Sequence, residues 1–552
     1  MRGEGKKIRV GIITGKKAYP IISEISRKIE GHGVIEINVF PINVSVISLA
    51  TTEMIRRFIE SDRRLTEALR KCDVIIIPGT VKGDAKTIAE AVGAQVYKGG
   101  INPSTLPKIL EALAEGIPLS TLEPAESVLK LYEEGLLMKT LEEVYGRYEK
   151  AFEIGGIAVP LRAPPIMIAS ETPVTLSLGS LEEHARILEE NGSDIVVVGI
   201  PLGESLEEST KRIAAVERGL NDAVLGVDSA NMKALIEGAK RGAEVLLSLH
   251  LGNMEALREV KDKAFVVIPG DPMKGIVPGD AEESASMLAK AVESARKLGF
   301  EKIIADPILN PPGIGLSESL AAYRLSAANL KEVPIFAGLS NVVELFDADS
   351  PGIVALLVQV LGEIGVSVML TSEESWKAKG MTFEARIASL MTSYSLKANA
   401  PPHNCGLDLL LLKEKNPPLS FQLPPEAQVE EISEEPKADL DKDIYFTIGV
   451  DVEKGRITVC AHSMDKNLLC LRGTSARALY KSMLRRINNI SQEHAAYLGY
   501  ELSRAELSLL LGKSYVQDED ITFENIKNKK EYALQVYKSL KEMMKHGRSQ
   551  NI

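Results

Sequence analysis

Apolar positions along this chain come in short runs, separated by longer stretches in which they return every three or four residues. In the first part, "IRVGIITG" (8–15), "VIEINVF" (34–40), "DVIIIPG" (73–79) and "AQVYKGG" (94–100) read as strands. Helical patterns such as "TEMIRRFIESDRRLTEALRK" (52–71) lie between them. Strand and helix in alternation predict a parallel, layered sheet, so residues 1–155 form a Rossmann-like α/β domain. Thr14, Gly15, Gly79 and Thr80 then fall at strand C-termini, where open α/β sheets place ligands. A phosphate loop is not indicated: Gly15-Lys16-Lys17 follows Gly11 too soon for G-x-x-x-x-G-K-[ST], and a tight strand-to-helix turn fits better.

From 156 to 415 the rhythm is more regular. "PIMIAS", "SDIVVVGI", "AVLGVD", "AEVLLSL", "AFVVIPG", "KIIADP", "PIFAGL" and "VSVMLT" are eight apolar runs, each followed by a helix-length amphipathic segment. Eight strand–helix repeats in this length predict a (β/α)8 TIM barrel. The runs are nearly all apolar, as strands covered on both faces should be. Residues 416–442 are rich in Pro and Glu and read as an extended linker. Beyond them, "DIYFTIGVDVEKGRITVCAHS" alternates like a hairpin turning at Glu453–Gly455, with helical patterns after it. Residues 443–552 are therefore a small α+β domain.

Composition narrows the partners. Across 552 residues the formal net charge is −11, which disfavours nucleic acid and anionic membrane, since both reward a basic face. The N-terminus lacks the apolar segment of a signal peptide, and no run approaches a membrane span, so a reducing cytoplasm is the expected location. Cys72, Cys405, Cys460 and Cys470 form no C-x-x-C, so neither a zinc ribbon nor a disulfide framework is expected. His403-Asn404-Cys405 reads as a loop, and no metal site is expected.

The barrel's chemistry should sit at the C-terminal ends of its strands. Those ends carry Ser170-Glu171-Thr172, Asp228, Ser248 and His250, Asp306, Ser340-Asn341, and Thr371 to Glu374. Two aspartates and an asparagine around one cavity suit a flat heterocycle with several N–H donors, such as a pterin, because a carboxylate is a two-oxygen acceptor. Against this, Asp228 in "DSAN" could simply cap the following helix. Asp306, followed by Pro307 and a Gly/Pro loop, is a less natural cap.

Three stretches carry a family resemblance. "GVDSANMKALIEGAKRGAEVL", "KIIADPILNPPGIG" and "FAGLSNVVEL" resemble, in the correct order, the third, sixth and seventh strand regions of the pterin-binding barrels. That family contains dihydropteroate synthase and the methyltetrahydrofolate:corrinoid methyltransferases. The whole chain, with "HAAYLGYELSRAE" in its last domain, resembles the archaeal dihydropteroate synthase-related proteins. The resemblance implies a pterin-binding type of TIM barrel. Asp228, Ser248, Asp306, Ser340 and Asn341 would then bind a reduced pterin of tetrahydromethanopterin or tetrahydrofolate type, with Asn341 at the ring's reactive side as the catalytic residue. His494 is either a ligand-facing base or a structural residue.

Departures from the synthases are as informative. The family's strand-4 asparagine is replaced by Ser248, the synthase lysine after the strand-7 serine by Val342, and the last-strand Arg-x-His by "LTSEES". "SETPVTLSLGS" keeps only fragments of their first loop. A pyrophosphate leaving group needs cations. The nearby ones are Lys274, Lys377 and Lys379, none in the family's place. The first reading is thus a pterin-dependent transferase of one-carbon metabolism acting on a methyl-tetrahydropterin, with any corrinoid carried on a separate protein. The second is condensation of a pterin with an arylamine. The third is a non-catalytic pterin-binding or scaffold protein. Oligomeric state is not readable from the sequence, although related barrels commonly pair as homodimers.

Overall fold

The structure is a computed structural model that describes residues 7–29, 35–403, 405–413, 429–432, 441, 443–463, 467–487, 490–519 and 534–535. Most of the expected linker, and Asn404, lie outside the described residues. The chain divides into two bodies, Met1–Ser420 and Phe421–Ile552. Among the described residues, no helix is long and apolar enough to cross a membrane.

The first body opens with β1 (Ile8–Gly15), β2 (Ile35–Ile42), β3 (Val74–Ile77) and β4 (Gln95–Lys98). They form a parallel sheet in the order β2-β1-β3-β4. Helices pack on both faces, which is why β3, "VIII", is buried throughout. The 22-residue helix Ala125–Gly146 then lies against the helix Met381–Ala398 of the barrel, so sheet and barrel belong to one body.

A hairpin not anticipated from the sequence follows, β5 (Lys150–Ile154) and β6 (Ile157–Pro160). Its turn is Gly155-Gly156, both at positive φ, and a Gly-Gly pair between alternating residues is a hairpin signal. Ile154 and Val159 join the cluster that fills the barrel interior.

The barrel strands are β7 (Met167–Thr172), β8 (Ile195–Gly199), β9 (Val224–Asp228), β10 (Val245–Leu249), β11 (Ala264–Val267), β12 (Ile303–Ala305), β13 (Phe336–Gly338) and β14 (Val368–Ser372). All eight expected runs are strands, paired in parallel in the order β12-β11-β10-β9-β8-β7-β14-β13. A bridge between Ala305 and Ile335 closes the ring. Met167, Ala169, Ile195, Val197, Val224, Ile304, Phe336 and Val368 point inward and are buried. Alternate residues such as Ile168, Val196 and Val227 face the surrounding helices. Arg162 ties the N-terminal end together, donating to the carbonyls of Leu161, Ala327, Leu330 and Val333.

The second body pairs β15 (Ile444–Asp451), β16 (Arg456–Ser463) and β17 (Asn467–Gly473) as an antiparallel sheet, with helices Ala476–Leu484 and Gln492–Leu510. The sequence reading found the hairpin and missed β17. The structure also corrects the expectation of no disulfide. Cys460 and Cys470 stand directly opposite each other on β16 and β17 and are joined. A pairing set by strand register is invisible while the third strand goes unread.

Candidate functional site at the barrel mouth

Period-two alternation builds the site. One step beyond the inward-facing Ala169 is Glu171. Two steps beyond Val224 is Asp228, and one step beyond Ile304 is Asp306. Three carboxyl groups therefore continue the barrel's interior faces at its C-terminal mouth. They stand on separate strands around the ring, Glu171 on β7, Asp228 on β9 and Asp306 just past β12; Asp228 pairs with Gly199 of β8 and Leu247 of β10, and Glu171 with Ser372 of β14.

Asp228 is half-buried, and its helix-cap alternative fails. The helix Met232–Lys240 is capped by Asn231, whose side chain accepts from Lys233 N. Burial alone pushes the Asp228 carboxyl up to about 6, with no hydrogen bond to pull it down. Asp306 is also raised to about 6 by burial, against two hydrogen bonds that lower it. Both reach the same oxygen: Tyr323 Oη donates to Oδ1 at 2.7 Å and Ile308 N at 2.8 Å. Tyr323 is fully buried, so that bond holds the carboxylate in place and leaves Oδ2 without a partner among the described residues.

Glu171 was named at a strand end by the sequence reading and given no role. Burial first, then the charges of Asp228 and Glu374, push it up to about 8. Burial and the neighbouring charges therefore favour the protonated form at Glu171 more than burial favours it at Asp228. The signal was present in the sequence: a lone charged residue near the end of a buried strand, in phase with its inward face.

The remaining expected residues are placed as follows. β13 stops at Gly338, and Ser340 and Asn341 begin a single helical turn. Ser340 Oγ accepts from Ser372 N at 2.7 Å, tying the ends of β13 and β14 together. Asn341 is exposed. Its Nδ2 donates to Leu309 O at 2.9 Å, which links strand seven to the Asp306 loop and leaves the amide oxygen without a partner among the described residues. Ser248 is half-buried, and its carbonyl accepts from Asn253 Nδ2. His494, 2% exposed, is structural: it sits beside Asp441 at 3.1 Å and edge-on to Phe446.

All three candidate cations are engaged locally. Lys274 pairs with buried Asp271 at 3.1 Å, Lys377 with Asp347 at 2.9 Å, and Lys379 lies over the Trp376 ring. The mouth is a rim of carboxyl and amide groups with its lysines held elsewhere. It can grip a neutral or cationic N–H-bearing ring and hold one proton at Glu171. It is poorly furnished for a polyanion.

Comparison with known proteins gives three kinds of likeness. Residues 440–518 match the family described as PterinBD-DUF4346, and residues 9–101 match DUF6513, a family of unknown function. An uncharacterized protein of Methanocaldococcus jannaschii, MJ0107, is 31% identical over 536 residues, covering 93% of this chain and 99% of its own. Among solved structures, Yersinia pestis dihydropteroate synthase with a pterine–sulfa conjugate is similar at 17% identity and TM-score 0.34, over 45% of this chain and 98% of that one. Xanthomonas albilineans dihydropteroate synthase in complex with 7,8-dihydropteroate is similar at 16% identity and TM-score 0.33, over 43% and 94%.

Proposed function

We infer the function from kinship and from the mouth: the chain belongs to the family of the Methanocaldococcus jannaschii protein, and we propose that it is a pterin-binding transferase of dihydropteroate synthase-like type acting on a methyl-tetrahydropterin. The observation that carries this reading is the gathering of Asp228, Asp306 and Glu171 at one rim, where burial pushes all three carboxyl groups up and Glu171 the furthest. The carboxylates would take the ring edge that bears an N–H beside an exocyclic amine. Asn341 would meet N5. With its Nδ2 held by Leu309 O, the amide presents an acceptor, which suits an N5 that carries a proton.

Methyl transfer needs that proton. The C–N bond breaks more easily when its electron pair is left on a neutral N5–H rather than on an amide-like anion. Glu171 is the group on the rim whose protonated form is favoured most, and we assign it the role of general acid. The methyl group then passes to an acceptor, for which a corrinoid on a separate protein is one chemical fit.

Calorimetry with N5-methyl-tetrahydrofolate and N5-methyl-tetrahydromethanopterin tests the reading. Saturable binding of either is expected, and failure of every reduced pterin to bind would remove it. Asn341→Ala is expected to slow single-turnover methyl transfer at least tenfold while changing affinity little, because its bond to N5 strengthens as charge develops there. A loss confined to affinity would count against that role.

Condensation of a pterin pyrophosphate with p-aminobenzoate is expected to be absent or negligible. Val342 stands where the synthases have lysine, and the three nearby lysines have other partners. Steady pyrophosphate release in a coupled assay would overturn this.

A further inference from the structure

The N-terminal sheet carries a cavity that the barrel chemistry does not use. In the order β2-β1-β3-β4, the chain winds from β1 to β2 on one side and then from β3 to β4 on the other. The reversal lies between β1 and β3, and a crevice opens outside the strand C-termini at such a point. Here the crevice is a cavity of about 130 Å³. Its walls are largely aliphatic, with Ile12, Ile76 and Leu106 among them, and its polar side chains are Thr14, Thr80 and Asn102. Among the described residues no charged side chain lines it.

Two observations point to a ligand. Thr14 is 2% exposed, and its hydroxyl has no hydrogen-bond partner among the described residues. The Thr80 hydroxyl is also buried and unpartnered. A buried hydroxyl is ordinarily satisfied, and Thr80, with the unpartnered Thr14 hydroxyl on the same cavity wall, asks for a guest. The rim is firmly built as well. Glu126 Oε1 accepts from Ile101 N at 2.7 Å and Thr105 Oγ1 at 2.8 Å, fixing the loop that carries Asn102. A Cβ at Gly79 would run into Gly99 O, so the loops after β3 and β4 meet this closely only because Gly79 has no side chain.

Size and chemistry define the guest. An apolar cavity of roughly 150 Å³ holds one benzene ring. We propose that this cavity binds an uncharged monocyclic aromatic group bearing one hydrogen-bonding substituent. The ring lies among the isoleucines and the substituent reaches Thr14 and Thr80. A hydroxyl both donates and accepts, so an alcohol, amine or amide edge can be served.

4-Iodophenol is a suitable probe, with iodobenzene as the isostere that lacks the hydroxyl. In crystals of the full chain soaked with 4-iodophenol, the anomalous iodine signal is expected between β1 and β3. In solution, the protein should bind 4-iodophenol about tenfold more tightly than iodobenzene, which corresponds to about 1.4 kcal/mol. The Thr14→Val/Thr80→Val double variant keeps the shape and should bind both compounds equally. An iodine signal absent from the cavity, equal affinities in the unaltered protein, or undiminished preference in the folded double variant would each overturn the proposal. Should the double variant not fold, the wild-type preference and the position of the iodine decide it.

Discussion

Asp228→Asn and Asp306→Asn are each expected to weaken reduced-pterin binding by about 2–4 kcal/mol, the usual cost of leaving one side of a buried charged hydrogen bond unpaired. An amide offers a single acceptor oxygen and turns a donor toward the ring's own donors. The two variants should differ in detail. At Asp228 no hydrogen bond among the described residues shares the carboxylate, and the following helix keeps its Asn231 cap, so folding should be untouched. At Asp306 the new amide oxygen can still accept from Tyr323 and Ile308, and this forces its NH2 group into the place of Oδ2. The fold survives, and the wrong group faces the ligand. Tyr323→Phe supplies the complementary case: the carboxylate stays but loses its anchor, so the loss in affinity should be smaller. Calorimetry beside a melting curve separates these outcomes. Unchanged affinity in both aspartate variants would sink the pterin site and leave only the barrel.

Affinity for the reduced pterin is expected to rise about 100-fold between pH 5 and pH 7, as two carboxyl groups raised to about 6 both ionise to become acceptors. The rate of methyl transfer should then fall above about pH 8, where Glu171 gives up its proton. The ligand-free protein should show the opposite trend in stability. A carboxyl whose pKa is higher folded than unfolded binds more protons in the folded state, so its contribution is favourable below the unfolded value. That contribution is lost as pH climbs toward 6 for the aspartates and 8 for Glu171. Melting temperature falling with pH while affinity climbs is a pairing that a site built from ion pairs would not give. A flat binding profile from pH 5 to pH 7 would show that the aspartates are not the acceptors.

Much of this was legible in the chain before any coordinates. The eight barrel strands could be read because burial on both faces leaves nearly unbroken apolar runs, and "DIVVVG" or "EVLLSL" offers few alternatives. Asp228 and Asp306 stood out for the same reason, as charges ending such runs. Glu171 stood out less, since Ser170 and Thr172 flank it and soften the break. What could not be read was partnership. No local pattern reveals that Asn231 rather than Asp228 caps a helix, that Tyr323 holds Asp306, or that Lys274 is spent on Asp271. These depend on which loops the closed barrel brings together. β17 and the Cys460–Cys470 link escaped for a related reason, since the strand is identified by its neighbour more than by its own alternation.

The Gly-Gly hairpin of β5 and β6 gives the barrel a floor. Ile154 and Val159 close the interior from the side opposite the carboxyl groups, and Arg162 laces that end to four backbone carbonyls. With the interior packed and this end covered, the carboxyl-bearing mouth is the side left for a ligand. Under the methyl-transfer proposal, substrate and acceptor would share that one door, and the order in which they arrive and depart would become part of the chemistry.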